Sequence, residues 1–120
     1  MYIQPLIPKD KKTIRGYGKE YFMINEQKIS SSIILSPNKV IEWSGDTEDL
    51  IDALTELDIS EKTILLVGTG EKRVPDKILL EYGQKNPNLS VEFMDTGAAC
   101  RTYNVLLAED RNILTALKKL

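Results

Sequence analysis

The chain of 120 residues has no histidine and one cysteine, Cys100. Without histidine there is no Ser-His-Asp or Cys-His triad, no imidazole general base and no histidine-ligated zinc. One thiol cannot close an intrachain disulfide, make a CxxC redox pair or supply a four-cysteine metal site, and an unpaired thiol fits a reducing compartment such as the cytoplasm. No apolar run approaches the roughly 20 residues of a membrane helix, so no transmembrane segment is expected. The opening MYIQPLIPKD has neither an apolar stretch behind a basic end nor an Arg/Ser-rich amphipathic pattern, so no targeting segment is read there.

Charge of one sign is also missing. The 16 Lys+Arg nearly balance 18 Asp+Glu, which leaves a net charge of −2 and argues against a nucleic-acid binder that neutralises phosphates. The short basic clusters Lys9-Asp10-Lys11-Lys12 and Lys118-Lys119 are too small for such a footprint and read as solubilising termini. At this length about two-thirds of the unfolded surface is buried on folding, enough for one core and one domain over residues 1–120.

What is present is a clear order of elements. Aromatic and β-branched residues predict strands over 13–17, 21–24, 28–35 and 39–43, with Asn25-Glu26 at a hairpin turn and Ser36-Pro37-Asn38 at another. Leu50, Ile51, Leu54 and Leu57 make one apolar stripe on a helix over 46–57. Asp46, Glu48 and Asp49 crowd its first turn, where carboxylates suit the positive end of the helix dipole; that reading is preferred to a metal site. A continuous apolar strand over 63–67 is followed by a helix opened by Pro75, a strand over 90–94 and a helix over 98–108. Residues 111–120 suit either a helix or an edge strand. Antiparallel strands followed by a βαβα tail define a mixed α/β arrangement.

Ligands in open α/β sheets lie beyond the carboxyl ends of parallel strands. Those ends are Gly68-Thr69-Gly70 and Asp95-Thr96-Gly97, two small polar turns that would offer backbone N–H groups to an anion at a helix start. They are not a dinucleotide fingerprint: a GxGxxG match from Gly68 needs glycine where Arg73 stands. The glycines equally serve a tight strand-to-helix turn.

Cys100 has three readings: a small residue packed on the sheet, a wall of a ligand crevice, or a thiolate activated by the helix dipole and Arg101. The last lacks a general base. Tyr103 and Asn104 lie three and four residues further on and share its helix face. Arg101 could clamp a carboxylate or phosphate, or pair with Asp95. Trp43, the only tryptophan, reads as a core anchor or as a partner-binding hot spot.

The run MDTGAACRTYNVLL, residues 94–107, resembles the MTH-nine-three-eight-like domain family. Ile14-Arg15-Gly16-Tyr17-Gly18, Val40-Ile41-Glu42-Trp43 and Leu65-Leu66-Val67-Gly68-Thr69-Gly70 follow in the family's order, so the likeness spans about residues 13–117. It implies a three-layer α/β fold with a mixed β-sheet, helices and an additional β-hairpin, and a strand over 112–117. It implies no cofactor and little chemistry. Relatives include a mitochondrial assembly factor of respiratory complex I, so the resemblance points to a non-catalytic interaction module with protein partners, here of bacterial, cytoplasmic type. The competing reading is a small anionic-ligand binder or thiol-dependent enzyme that uses the crevice between Gly68–Gly70 and Asp95–Asn104. A homodimer through the exposed hairpin edge is compatible with either.

Overall fold

The computed structural model describes residues 10–57 and 59–120; residues 1–9, where the absence of a targeting segment was argued, lie outside them, as does Lys9 of the first basic cluster. Strands β1 (Ile14–Tyr17), β2 (Phe22–Ile24) and β3 (Gln27–Ile29) form an antiparallel sheet in that order. Its second turn holds Asn25 at φ 53, a left-handed conformation that asparagine tolerates. The Asn25 carboxamide oxygen also accepts from the Thr13 N–H at 2.9 Å and the Thr13 hydroxyl at 2.8 Å.

The strand expected over 28–35 is two strands in two sheets. β3 ends at Ile29, and β4 (Ser32–Leu35) begins after Ser30-Ser31, where the chain leaves the first sheet and enters the second. Two serines in a row offer no apolar side chain to hold either sheet, which lets the crossing fall there.

The second sheet adds β5 (Val40–Trp43), β6 (Thr63–Gly68), β7 (Leu89–Met94) and β8 (Ile113–Leu117), in the order β5-β4-β8-β6-β7. β6 runs parallel to both β7 and β8, while β4 is antiparallel to both β5 and β8. Four of the five strands, β5 to β8, therefore point the same way. The segment that the residues alone left between helix and edge strand, and that the resemblance made a strand over 112–117, is a central strand, buried at all five positions. Its one polar residue, Thr115, donates its hydroxyl to the Leu66 carbonyl at 3.0 Å, so a polar group inside the sheet is satisfied.

Three helices cover this sheet: α1 (Thr47–Glu56), α2 (Lys77–Lys85) and α3 (Thr96–Ala108). α2 starts later than Pro75 implied, because Asp76 is the N-cap and its carboxylate accepts the N–H groups of Ile78 and Leu79. α3 starts two residues early for the same reason, with Asp95 capping the Ala98 N–H at 2.9 Å.

Side chains that alternate across the sheet build two cores. Leu65, Val67, Leu114, Ala116 and Ile34 meet α1 and α2 on one face, with Leu50, Leu54 and Leu79. Leu66, Ile113, Leu117, Ile33 and Leu35 meet α3 and the three-stranded sheet on the other, with Tyr103, Cys100 and Phe22. Full burial of each such aliphatic side chain is worth about 1.5–3 kcal/mol, so both faces are strongly held. The layers are thus α1 and α2, the mixed sheet, and α3 with the smaller sheet.

Candidate functional site

The two glycine-bearing strand ends do converge. Gly68 and Met94 are partners in the β6–β7 register, and the Thr69 N–H donates to the Met94 carbonyl at 2.9 Å. What fills their meeting point is the protein itself. The Thr96 N–H donates to the Gly70 carbonyl at 2.8 Å, while the Thr96 hydroxyl accepts from the Gly70 N–H at 2.9 Å and donates to the Lys118 carbonyl at 2.8 Å. One fully buried threonine thereby ties together the ends of β6, β7 and β8.

Glycine is needed here for closeness. A Cβ on Gly68 would lie 2.9 Å from Leu117 and 3.1 Å from the Thr96 Cα. A Cβ on Gly97 would lie 2.5 Å from the Tyr17 hydroxyl, so Tyr17 of the smaller sheet covers the first turn of α3. The N–H groups of Thr69, Gly70, Thr96 and Ala98, which the sequence offered to an anion, have internal partners.

The remaining candidates on α3 face different ways. Cys100 is buried against the sheet, and that burial pushes its thiol up to about 12; Arg101 opposes the shift and Asp95 adds to it. Such a thiol stays protonated at neutral pH, which is unsuited to nucleophilic attack. Tyr103 is fully buried, its pKa raised by desolvation, and it donates its hydroxyl to the Lys12 carbonyl at 2.7 Å. Asn104 holds both sides of one peptide: its oxygen accepts from the Ile14 N–H at 3.0 Å, and its amide nitrogen donates to the Ile14 carbonyl at 2.7 Å. These two side chains fasten β1 to α3. Arg101 stands on the exposed outer face.

An open cleft lies on the opposite face of the same sheet end. It measures about 460 Å³ and sits between the N-terminal ends of α1 and α2. Leu50, Val67, Leu79 and Phe93 line it with Trp43, Thr47, Asp76 and Lys118; of the crevice residues expected from sequence, Thr69 lines it too. Burial would raise the Asp76 pKa, but hydrogen bonds from Thr47 and from the Leu79 and Ile78 N–H groups, together with the Lys118 charge, hold it below the usual value. Trp43 is 7% exposed, as befits a core anchor, yet among the described residues its buried indole N–H has no hydrogen-bond partner. Sequence reasoning passed over Thr47 and Asp76 and read Lys118 as part of a solubilising terminus. The only signal was topological: each stands at the carboxyl end of a strand or at the helix start beyond one.

The architecture defines a class: a three-layer α/β domain whose DTGAACRTYN segment clasps strand ends and anchors a small sheet. The chain belongs to the family described as "Protein of unknown function (DUF498/DUF598)", whose pattern matches residues 14–118. A "13 kDa major membrane protein" of Francisella tularensis subsp. holarctica (strain LVS) is 33% identical over 103 residues, covering 82% of this chain and 84% of that protein. Among the described residues no helix is long and apolar enough to cross a membrane. The "NADH dehydrogenase [ubiquinone] 1 alpha subcomplex assembly factor 3" of Xenopus tropicalis is 32% identical over 110 residues, covering 87% of this chain and 59% of that protein, so the chain spans little more than half its length. A solution structure from Bordetella pertussis, described as a Mth938-like domain, superposes with a TM-score of 0.76 at 26% identity, covering 99% of this chain and 92% of that one.

Proposed function

We propose that this single-domain chain is a non-catalytic interaction module that assists assembly of a larger protein complex, with subunits of a respiratory NADH dehydrogenase as its partners. The observation that carries this reading is its 32% identity over 110 residues to a protein named as an assembly factor of that enzyme. The chemistry of the DTGAACRTYN segment agrees with it. Asp95, Thr96, Tyr103 and Asn104 hold the chain's own backbone, and Cys100 is a buried, protonated thiol. A cytoplasmic, reducing setting suits that thiol.

The outer face of α3 is the contact surface in this reading. Arg101 and Val105, four residues apart, are both exposed, and arginine is among the residues enriched at partner hot spots. The test is affinity capture of the tagged chain from its native host, at native expression, after brief crosslinking. Enrichment of respiratory NADH dehydrogenase subunits is expected, and loss of that enrichment in an Arg101→Ala/Val105→Asp variant of unchanged melting temperature. Equal capture by the variant, or no such subunits with the intact chain, would count against the proposal.

A further inference from the structure

We propose that the cleft between the N-terminal ends of α1 and α2 binds a small amphipathic carboxylate, its oxygens held by the Trp43 indole N–H and the Lys118 ammonium, and its hydrocarbon laid on Leu50, Val67, Leu79 and Phe93. The inference is independent of the assembly role.

Three observations carry it. The first is position. β5, β6, β7 and β8 all point to this end of the sheet, and open α/β sheets leave their ligand crevices beyond the carboxyl ends of such strands. Here the opposite face of that end is closed by Thr96 and Tyr17, which leaves the α1–α2 face. The volume, about 460 Å³, is in the range of small-molecule sites.

The second is an imbalance of hydrogen-bonding groups. Among the described residues Trp43 Nε1–H is a buried donor without a partner, a state that costs about 1–3 kcal/mol; the atom is closed to solvent, so an incoming acceptor relieves it by parting the lining around the indole. Lys77 and Lys118 line the same cleft, and an ammonium only donates. The one carboxylate in the lining, Asp76, already accepts from Ile78, Leu79 and Thr47. The Thr69 hydroxyl is likewise engaged, with the Lys72 and Met94 carbonyls and the Val74 N–H. Two lysines against one aspartate leave the described lining positive, with the Lys118 charge near enough to Asp76 to lower its pKa. A ligand that fits supplies acceptor oxygens and negative charge.

The third is reach. Trp43 ends β5, and Lys118 directly follows β8, one strand removed across β4. Two strand spacings are about 10 Å, a gap that a lysine side chain and a carboxylate can close together. Alternation also sets them on one face: Leu117 belongs to the α3 core, Lys118 lines the α2 side, and Trp43 is part of the α1–α2 core.

The chain carries one tryptophan, so its indole N–H gives a single nitrogen–proton NMR signal. The probe is octanoate, titrated into the nitrogen-15-labelled chain, with octanol as the uncharged control and acetate as the control without a hydrocarbon. A saturable shift of the indole signal by octanoate is expected, with octanol and acetate roughly tenfold weaker or worse, as loss of a charged hydrogen bond or of apolar burial implies. Lys118→Gln should weaken octanoate by about the same factor and leave octanol unchanged. Trp43→Phe, which keeps the packing and removes the donor, provides a second reading by calorimetry: octanoate should bind more weakly. An unmoved or non-saturating indole signal, octanol binding as well as octanoate, or unaltered affinity in both variants would overturn the proposal.

Discussion

Cys100 shows how burial decides the chemistry of a side chain. A cysteine in the first turns of a helix beside an arginine has the surroundings that lower a thiol pKa, yet here desolvation dominates and raises it to about 12. The native protein should therefore react with iodoacetamide at pH 8 more than about tenfold slower than the denatured chain, since attack requires opening. Stability should follow the same cause. The unfolded thiol ionises near pH 8.5 whereas the folded one retains its proton, so stability is intact below that pH. Above it, stability falls by about 1.4 kcal/mol per pH unit until the folded thiol titrates. Cys100→Ala should flatten this alkaline loss in denaturant titrations, leaving the later contribution of Tyr103, whose pKa is also raised by burial. A slope unchanged by the substitution would mean that the sulfur is not the titrating group.

Among the elements, the joint between β6, β7, β8 and α3 depends on what is small. Gly68→Ala presses a methyl group on the Thr96 backbone and on Leu117, neither of which can move far, and should cost about 1–3 kcal/mol by overpacking. Gly97→Ala clashes with the far end of Tyr17, which can swing aside, and meets the Asp95 carboxylate at 3.4 Å, an ordinary contact, so thermal denaturation should rank it the milder of the two. Much at this scale was legible in the sequence: the Leu50–Leu54 stripe, the apolar 63–67 run, the Asn25 turn and the meeting of the two glycine turns all stand in the fold. What was not legible depended on partners far along the chain. Ile113 to Leu117 suits a helix or a strand, and only pairing with β4 and β6 makes it central. Lys118 read as a solubilising terminus because nothing local says that its strand ends at a cleft. Tyr103 and Asn104 were placed beside Cys100 correctly by helix spacing, but their bonds to Lys12 and Ile14, some 90 residues away, have no local trace.

For the whole molecule, the smaller sheet is the part most easily released. Its link to the larger sheet in sequence is Ser30-Ser31, and its grip on α3 includes the Tyr103 and Asn104 hydrogen bonds. Native-state hydrogen exchange should show β1 and β2 amides opening at lower free energy than β6 and β8. Asn104→Ala should lower that local opening by about 1–2 kcal/mol, two hydrogen bonds' worth, while the β6 amides change less. Uniform loss across both sheets would show that they open as one. β6 has the opposite character, because it serves both cores, Leu65 and Val67 toward one and Leu66 toward the other. A one-residue insertion or deletion within it would invert both faces together and place a bulky side chain where Gly68 meets Thr96. Changes in chain length are therefore excluded from β6 and find room in the exposed loop of residues 71–75.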